Sequence, residues 1–166
     1  MADPIVIVEY DPGWPGQFEM LRCRISEVLG DLVARIEHVG STAVPGLAAK
    51  PILDFDVLLA SADNLPAAVD RLATLGYVRQ GDLGIPGREA FTTPPLAPAH
   101  HLYVFTESCG EFSRHLAFRD YLRANPEGAH AYEELKRTLA SRFAEDRIAY
   151  VKGKTEFVRE ALRRRF

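Results

Sequence analysis

The chain has 166 residues, 47% hydrophobic and 26% charged, with a net charge of −3 at pH 7. That length suits one domain with a sizeable core, and the composition is ordinary for a globular protein. The acidic balance argues against broad nucleic-acid binding, which shows as a basic surface. No apolar run approaches the ~20 residues that a membrane span requires. Cys23 and Cys109 fit neither a zinc spacing nor a disulfide framework. The opening Met1-Ala2-Asp3-Pro4 has no basic or apolar leader, so the expectation is a cytoplasmic protein.

Residues 5–10 read as a short edge strand. Asp11-Pro12-Gly13 is a turn, and Pro15 suits the first turn of a helix. Phe18, Leu21, Ile25, Val28 and Leu29 then repeat at helical spacing until Gly30 stops the run. Residues 34–39 form the next strand, which breaks at Gly40-Ser41-Thr42. Gly40 permits a tight bend that a phosphate can approach. Ser41 or Thr42 is expected to cap a short helix starting near Val44-Pro45, whose free N–H groups would attract an anion.

Residues 51–59 are a strand with two acids. Side chains alternate, so Asp54 and Asp56 share one face, while Leu53, Phe55, Val57 and Leu59 line the other. Neighbouring carboxylates on a buried strand resist ionising together. A divalent cation removes that conflict, and hard oxygen ligands suit Mg²⁺. The plain alternative is an edge strand whose acids face water.

Asp63 is placed to cap a helix with Leu65, Ala68, Val69, Leu72 and Leu75 on one face and Gly76 beyond its end. Residues 77–80, 88–93 and 101–106 read as strands, separated by glycine-rich 84–87 and proline-rich 94–98. In the last of these, His101, Tyr103 and Phe105 share a face. If that strand neighbours the acidic one, His101 looks into the same pocket, where it could ligate metal or move a proton. The alternative is a rim histidine bonded to backbone. His100 faces the other way and reads as incidental.

From Glu111 the pattern is helical. Phe112, Leu116, Phe118, Tyr121 and Leu122 supply a first helix, and Asn125-Pro126-Glu127 ends it and caps a second with Tyr132, Leu135, Leu139 and Phe143. A third runs from about Asp146, burying Ile148, Val151, Val158 and Leu162. Gly153 sits inside it, at a cost of about 1 kcal/mol relative to alanine, which hints at close packing. His115, Arg119 and Arg123 form one stripe, and Tyr132/Lys136 and Tyr150/Lys154 repeat the same spacing. Converging, these would make a positive wall opposite the acids, suited to phosphate oxygens. Scattered, they are solvated faces.

The run Glu37-His38-Val39-Gly40-Ser41-Thr42-Ala43-Val44-Pro45-Gly46-Leu47, then Lys50-Pro51 and Asp54, resembles the GrpB family. That family is similar in fold to the polymerase-beta-like nucleotidyltransferases, whose signature is Gly-Ser followed by Asp-x-Asp. The likeness runs from Asp11-Pro12, Trp14-Pro15 and Phe18 to His115, Phe118-Arg119-Asp120-Tyr121-Leu122-Arg123, Tyr132, Leu135-Lys136, Tyr150 and Lys154. It implies one α+β domain over residues 1–166: a mixed β-sheet with flanking helices in 1–110, and a three-helix segment in 111–166. It further implies a Mg²⁺-dependent enzyme that moves a nucleotidyl group from a nucleoside triphosphate to a small acceptor. Asp54 and Asp56 would hold the metal and, with His101, perform the chemistry. Gly40, Ser41, Thr42, Lys50, Arg119, Lys136 and Lys154 would bind the phosphates.

The chain departs from that pattern in two places. Active nucleotidyltransferases of this fold usually carry a third carboxylate on a later strand. Here His101 occupies the obvious position, with Glu89 and Glu107 the nearby acids. The family also often has a histidine where Tyr103 stands. A non-catalytic accessory protein that binds a nucleotide or a coenzyme A-type ligand is therefore the alternative, since relatives of the family occur fused to dephospho-coenzyme A kinase. A third reading is a phosphohydrolase, because residues 52–57 also resemble the nucleophile strand of haloacid dehalogenase-type phosphatases. That fold needs a Rossmann-like sheet, a later lysine and a downstream acid pair, for which Glu145-Asp146 is the candidate.

Overall fold

The computed structural model describes residues 3–164. An inner strand of its sheet is β2 (Leu53–Leu59), where Leu53, Phe55, Val57 and Leu59 are all at most 2% exposed. β2 pairs antiparallel with β1 (Val33–Val39) and parallel with β5 (His100–Phe105). β4 (Arg88–Thr92) and β3 (Val78–Gly81) extend the sheet antiparallel, giving the order β1-β2-β5-β4-β3. The apolar row of β2 meets α1 (Trp14–Leu29) and α2 (Leu65–Ala73) through Phe18, Leu21, Ile25, Leu29, Ala68 and Leu72. Burying five or six such side chains at roughly 1.5–3 kcal/mol each anchors that face.

The other face of the sheet takes α3 (Gly110–Ala124), with Phe112 and Leu116 against Leu58 and Phe105. α4 (Pro126–Arg142) and α5 (Arg147–Arg163) pack on α3 through Phe118, Leu135, Tyr132 and Phe157. Gly153 of α5 does what its placement hinted at. A Cβ there would lie 2.8 Å from Leu139 Cδ1, so the helices approach to a distance that only glycine allows.

The fold is the expected mixed sheet with flanking helices, and five local expectations are corrected. On α5, Ile148 and Val151 are 70% and 49% exposed rather than buried, because the helix turns Tyr150 and Ala161 inward. Asn125 makes no side-chain cap on α4, since its Nδ2–H donates back to the Tyr121 carbonyl at 2.9 Å. Residues 5–10 are no strand. Val8 makes one bridge to Ala49, and Ile5 N–H donates to the Ala144 carbonyl at 2.8 Å, while Ile5 and Ile7 fill a gap beside Leu139 and Tyr150. No helix starts near Val44-Pro45 either. Ser41–Ala43 is a single 3₁₀ turn without a side-chain cap, and Val44 is extended at φ −107°, ψ 110°. Proline disfavours the helical region for the residue before it, so Pro45 holds Val44 extended. Asp63 is not a cap: it lies in the 3₁₀ turn Ala62–Asn64, where its N–H donates to the Ser61 hydroxyl, and α2 opens on Leu65-Pro66. The mixed sheet also removes the phosphohydrolase reading, which requires a doubly wound parallel sheet. Asp146, half of its acid pair, caps α5 by accepting from the Ala149 N–H.

Candidate functional site

Where β1 ends, the chain turns against β2. Gly40 has φ +74°, and a Cβ there would overlap the Asp54 carboxylate, so both the bend and the close approach require glycine. Parallel pairing sets Asp54 beside His101 in register, and His101 Nδ1 lies 2.9 Å from Asp54 Oδ1. Both side chains are 30% exposed, so the pair is open to a ligand. Thr42 is fixed from behind by His38, with 2.9 Å between His38 Nε2 and the threonine Oγ1. His38 in turn stacks on Phe18 at 4.6 Å. Burial pulls His38 down to about 4 against the attraction of Asp54, so this ring stays neutral.

Asp56 is placed differently from Asp54. It is fully buried, its Oδ2 lies 2.6 Å from His115 Nδ1 on α3, and its Oδ1 has no hydrogen-bond partner among the described residues. Burial pushes Asp56 up despite His115, and His115 is held up by Asp56 despite its own burial.

Arg119 does not reach the acids. It is 10% exposed, and its guanidinium is taken by Glu37 at 2.7 Å, Asp120 at 2.9 Å and the His38 carbonyl at 3.1 Å. Arg123 donates to the Ala43 carbonyl at 2.9 Å. The α3 stripe thus clamps β1 and the Gly40–Ser41 bend from outside.

The stripes of α4 and α5 do converge. With Gly40, Ser41, Thr42, Asp54 and His101 they enclose a cavity of about 210 Å³, to which they bring Tyr132, Lys136, Tyr150 and Lys154, with Lys50 from the loop before β2. Arg147 joins them, one residue that the sequence reading missed. Its position was legible, because Arg147, Tyr150, Val151 and Lys154 repeat at i, i+3, i+4 and i+7 on one face of α5. Lys136 is 2% exposed; it donates to the Ala48 carbonyl and lies 5.1 Å from the Tyr132 ring. Lys50 and Lys154 lie 5.2 and 4.5 Å from the Tyr150 ring. Among the described residues none of these three lysines, nor Arg147, has a carboxylate within ion-pair distance. Burial, reinforced by neighbouring cations, pulls Lys136 down to about 7 and Lys154 down to about 8, and lowers Lys50. These are cations gathered without ion-pair partners, Lys136 buried and Lys50 and Lys154 half-buried, unlike an ordinary solvated face.

The donor set can be tested for a hard cation. Asp54 is open to the cavity, and the orphaned Asp56 Oδ1 on the same strand face is an acceptor in want of a partner. Two carboxylates suit Mg²⁺ when water and phosphate complete the octahedron. Among the described residues no group of three or more His, Cys, Asp or Glu side chains is arranged to hold a metal by itself. Asp54 lines the cavity and Asp56 does not, so the protein offers a cation one open carboxylate, and a further ligand would have to arrive with it.

Comparison with known proteins places the chain. The GrpB protein family model matches residues 4–164. A solved structure of the conserved protein GrpB from Enterococcus faecalis superposes with a TM-score of 0.85 and 34% identity, covering 96% of this chain and 99% of that one. The UPF0157 protein BH1888 of Halalkalibacterium halodurans is 36% identical over 163 residues, 96% of this chain and 82% of its own. The UPF0157 protein YqkA of Bacillus subtilis is 33% identical, but the chain spans 46% of its length. A dephospho-CoA kinase of Mycolicibacterium paratuberculosis is 30% identical over 97% of this chain and 46% of its own. The Cid1 poly(U) polymerase bound to MgGTP matches with a TM-score of 0.54 at 17% identity over 82% of this chain and 45% of that one, a likeness of fold alone. Among the described residues no helix is long and apolar enough to cross a membrane. With a sheet of the nucleotidyltransferase kind and a family match from one end of the described chain to the other, this protein belongs to the GrpB family.

Proposed function

We propose that the cavity holds the phosphate chain of a nucleoside triphosphate and that the protein moves a nucleotidyl group from it to a small acceptor. One observation carries this reading: Lys50, Lys136, Lys154 and Arg147 converge, without carboxylate partners, on a cavity whose opposite wall is the Gly40–Ser41 bend and Asp54. At about 210 Å³ the cavity is smaller than the ~300–1,000 Å³ of sites that enclose a whole drug-sized ligand, so it suits the phosphates, with the nucleoside outside.

The residues divide the work. The lysines and Arg147 orient and neutralise the phosphate oxygens. The Ser41 and Thr42 hydroxyls are placed to donate to them. Asp54 and Asp56 would hold Mg²⁺, which supplies charge for the phosphates when bound. His101, its Nδ1–H directed at Asp54, presents an Nε2 lone pair that accepts the acceptor's proton. The acceptor oxygen bonds to the α-phosphorus, and pyrophosphate leaves.

The accessory-binder reading has one specific observation in its favour. The β5 positions opposite Asp54 and Asp56 are His101 and Tyr103, so neither supplies a third carboxylate. The test is thermal stability and pyrophosphate release with nucleoside triphosphates, with and without Mg²⁺, over a pool of small acceptors. Transfer predicts stabilisation of about 2.7 kcal/mol at a hundredfold excess over Kd, dependent on Mg²⁺ and on Asp54, together with pyrophosphate release. Stabilisation that ignores Mg²⁺ and Asp54→Asn, with no pyrophosphate, establishes the binder instead.

A further inference from the structure

Lysine is scarce in this chain: four residues, against sixteen arginines. Three of the four, Lys50, Lys136 and Lys154, line the one cavity described above. The fourth, Lys152, is exposed on α5. Arginines serve the ion pairs elsewhere, as in Arg22–Glu19, Arg79–Glu89, Arg119–Glu37 and Arg159–Glu156. The two cations differ in one property that matters in a closed space. A guanidinium keeps its proton, whereas an amine can shed it and take it back.

The surroundings of these amines call for that property. Lys136 faces Lys154, Glu133, Arg137 and Lys50, and the Glu133 Oε1 is already occupied by the Ala48 N–H at 2.7 Å. Lys154 faces Lys50, Asp54 and Arg147, and Asp54 is already held by His101. The remaining walls are the Tyr132 and Tyr150 rings and the Ser41 and Thr42 hydroxyls. With every amine protonated, four cations would face Asp54 as the one carboxylate lining the cavity, an excess of three charges among the lining groups, with Glu133 outside the lining behind Lys136. An arginine wall would carry that repulsion permanently. A lysine wall escapes it by discharging while empty.

We infer that the cavity selects a polyphosphate bearing at least three negative charges, and that the amines of Lys136 and Lys154 take up protons from solvent as it enters. This rests on the reading that the cavity binds phosphate groups, and it adds the charge of the ligand and the reason the wall is lysine. An orthophosphate is too weakly charged to recharge the amines. A tripolyphosphate chain matches that excess among the lining groups.

The experiment is a calorimetric titration of the full chain with inorganic tripolyphosphate at pH 8, without metal, in two buffers of different ionisation enthalpy. The expected result is uptake of about one proton per ligand by linkage, and binding at least ~100-fold tighter than orthophosphate. Lys154→Arg and Lys136→Arg each lower the proton number, while Lys152→Arg leaves it unchanged. If the deeply buried Lys136→Arg does not fold, Lys154→Arg decides. Zero uptake by the wild type, equal uptake in the pocket variants, or orthophosphate within tenfold overturns the inference. Proton-linked tripolyphosphate binding without pyrophosphate release from any nucleoside triphosphate upholds it and sinks the catalytic reading. Turnover without proton uptake does the reverse, and a chain that binds no phosphate compound overturns both.

Discussion

α3 carries two arginines four residues apart on one stripe, and α4 and α5 each carry a tyrosine and a lysine at that spacing, yet the helices use their cations for opposite ends. On α3, Arg119 meets Glu37 and Asp120, and Arg123 meets the Ala43 carbonyl, so the charge is spent on holding β1 and the bend in place. On α4 and α5, Lys136, Arg147 and Lys154 meet rings, a carbonyl and a cavity. Helical spacing is the same in both regions. What differs is the partner: carboxylates and carbonyls hold the α3 arginines, whereas Lys136, Arg147 and Lys154 have no carboxylate within ion-pair distance among the described residues and line the cavity.

This contrast can be broken most forcefully at Arg119. Arg119→Ala leaves Glu37, 21% exposed, with Arg35 as its remaining partner, and losing the hydrogen bonds of a mostly buried guanidinium costs about 2–3 kcal/mol. Urea denaturation should show that loss while tripolyphosphate affinity of the folded protein stays within about twofold. A large affinity loss would return Arg119 to the pocket. Next is Gly153→Ala, which forces α5 away from Leu139 and costs about 1–3 kcal/mol by overpacking. Because α4 and α5 carry the cavity walls, it should weaken anion binding as well as stability, where Arg119→Ala touches stability alone. The same urea series and the tripolyphosphate titration check both.

Smaller effects sharpen the comparison from the other side. Lys154→Met should weaken tripolyphosphate binding about tenfold, or about 1.4 kcal/mol, without destabilising the empty protein, since it removes a half-buried charge without an ion-pair partner. The least effect is on pH. Lys136 and Lys154 are held near 7 and 8 when folded and return to the ordinary lysine value when unfolded. Between about pH 7 and 10 the unfolded chain therefore binds more protons, and stability rises with pH across that window. The melting temperature relative to Lys136→Met/Lys154→Met should climb by about 2–4 °C per kcal/mol so gained. A flat difference would mean the amines stay charged.

Much of the frame was legible because one face of each element is apolar at its own period. Leu53, Phe55, Val57 and Leu59 mark a strand, and Phe18, Leu21, Ile25 and Leu29 mark a helix, whatever packs on them. Alternation also placed Asp54 and Asp56 on one face, but not at one depth: that Asp56 lies sealed under His115 follows from how α3 crosses the sheet. The Asp54–His101 contact needed the parallel pairing of β2 with β5, a choice made 47 residues away in sequence. His100, read as incidental, is buried and bonds Tyr77 and the Pro98 carbonyl, partners invisible to a local pattern. The missed Arg147 shows the reverse: its helical spacing was on the page, and only its partners were not.

The central claim is that the lysines of α4 and α5, with Asp54 opposite, form a site for a phosphate chain while the α3 arginines do not. Its most direct test is the affinity of tripolyphosphate for the wild type, Lys154→Met and Arg119→Ala under one set of conditions. The account predicts a loss of about tenfold for Lys154→Met and a change within twofold for Arg119→Ala. Equal affinities in all three, or a loss confined to Arg119→Ala, would contradict it.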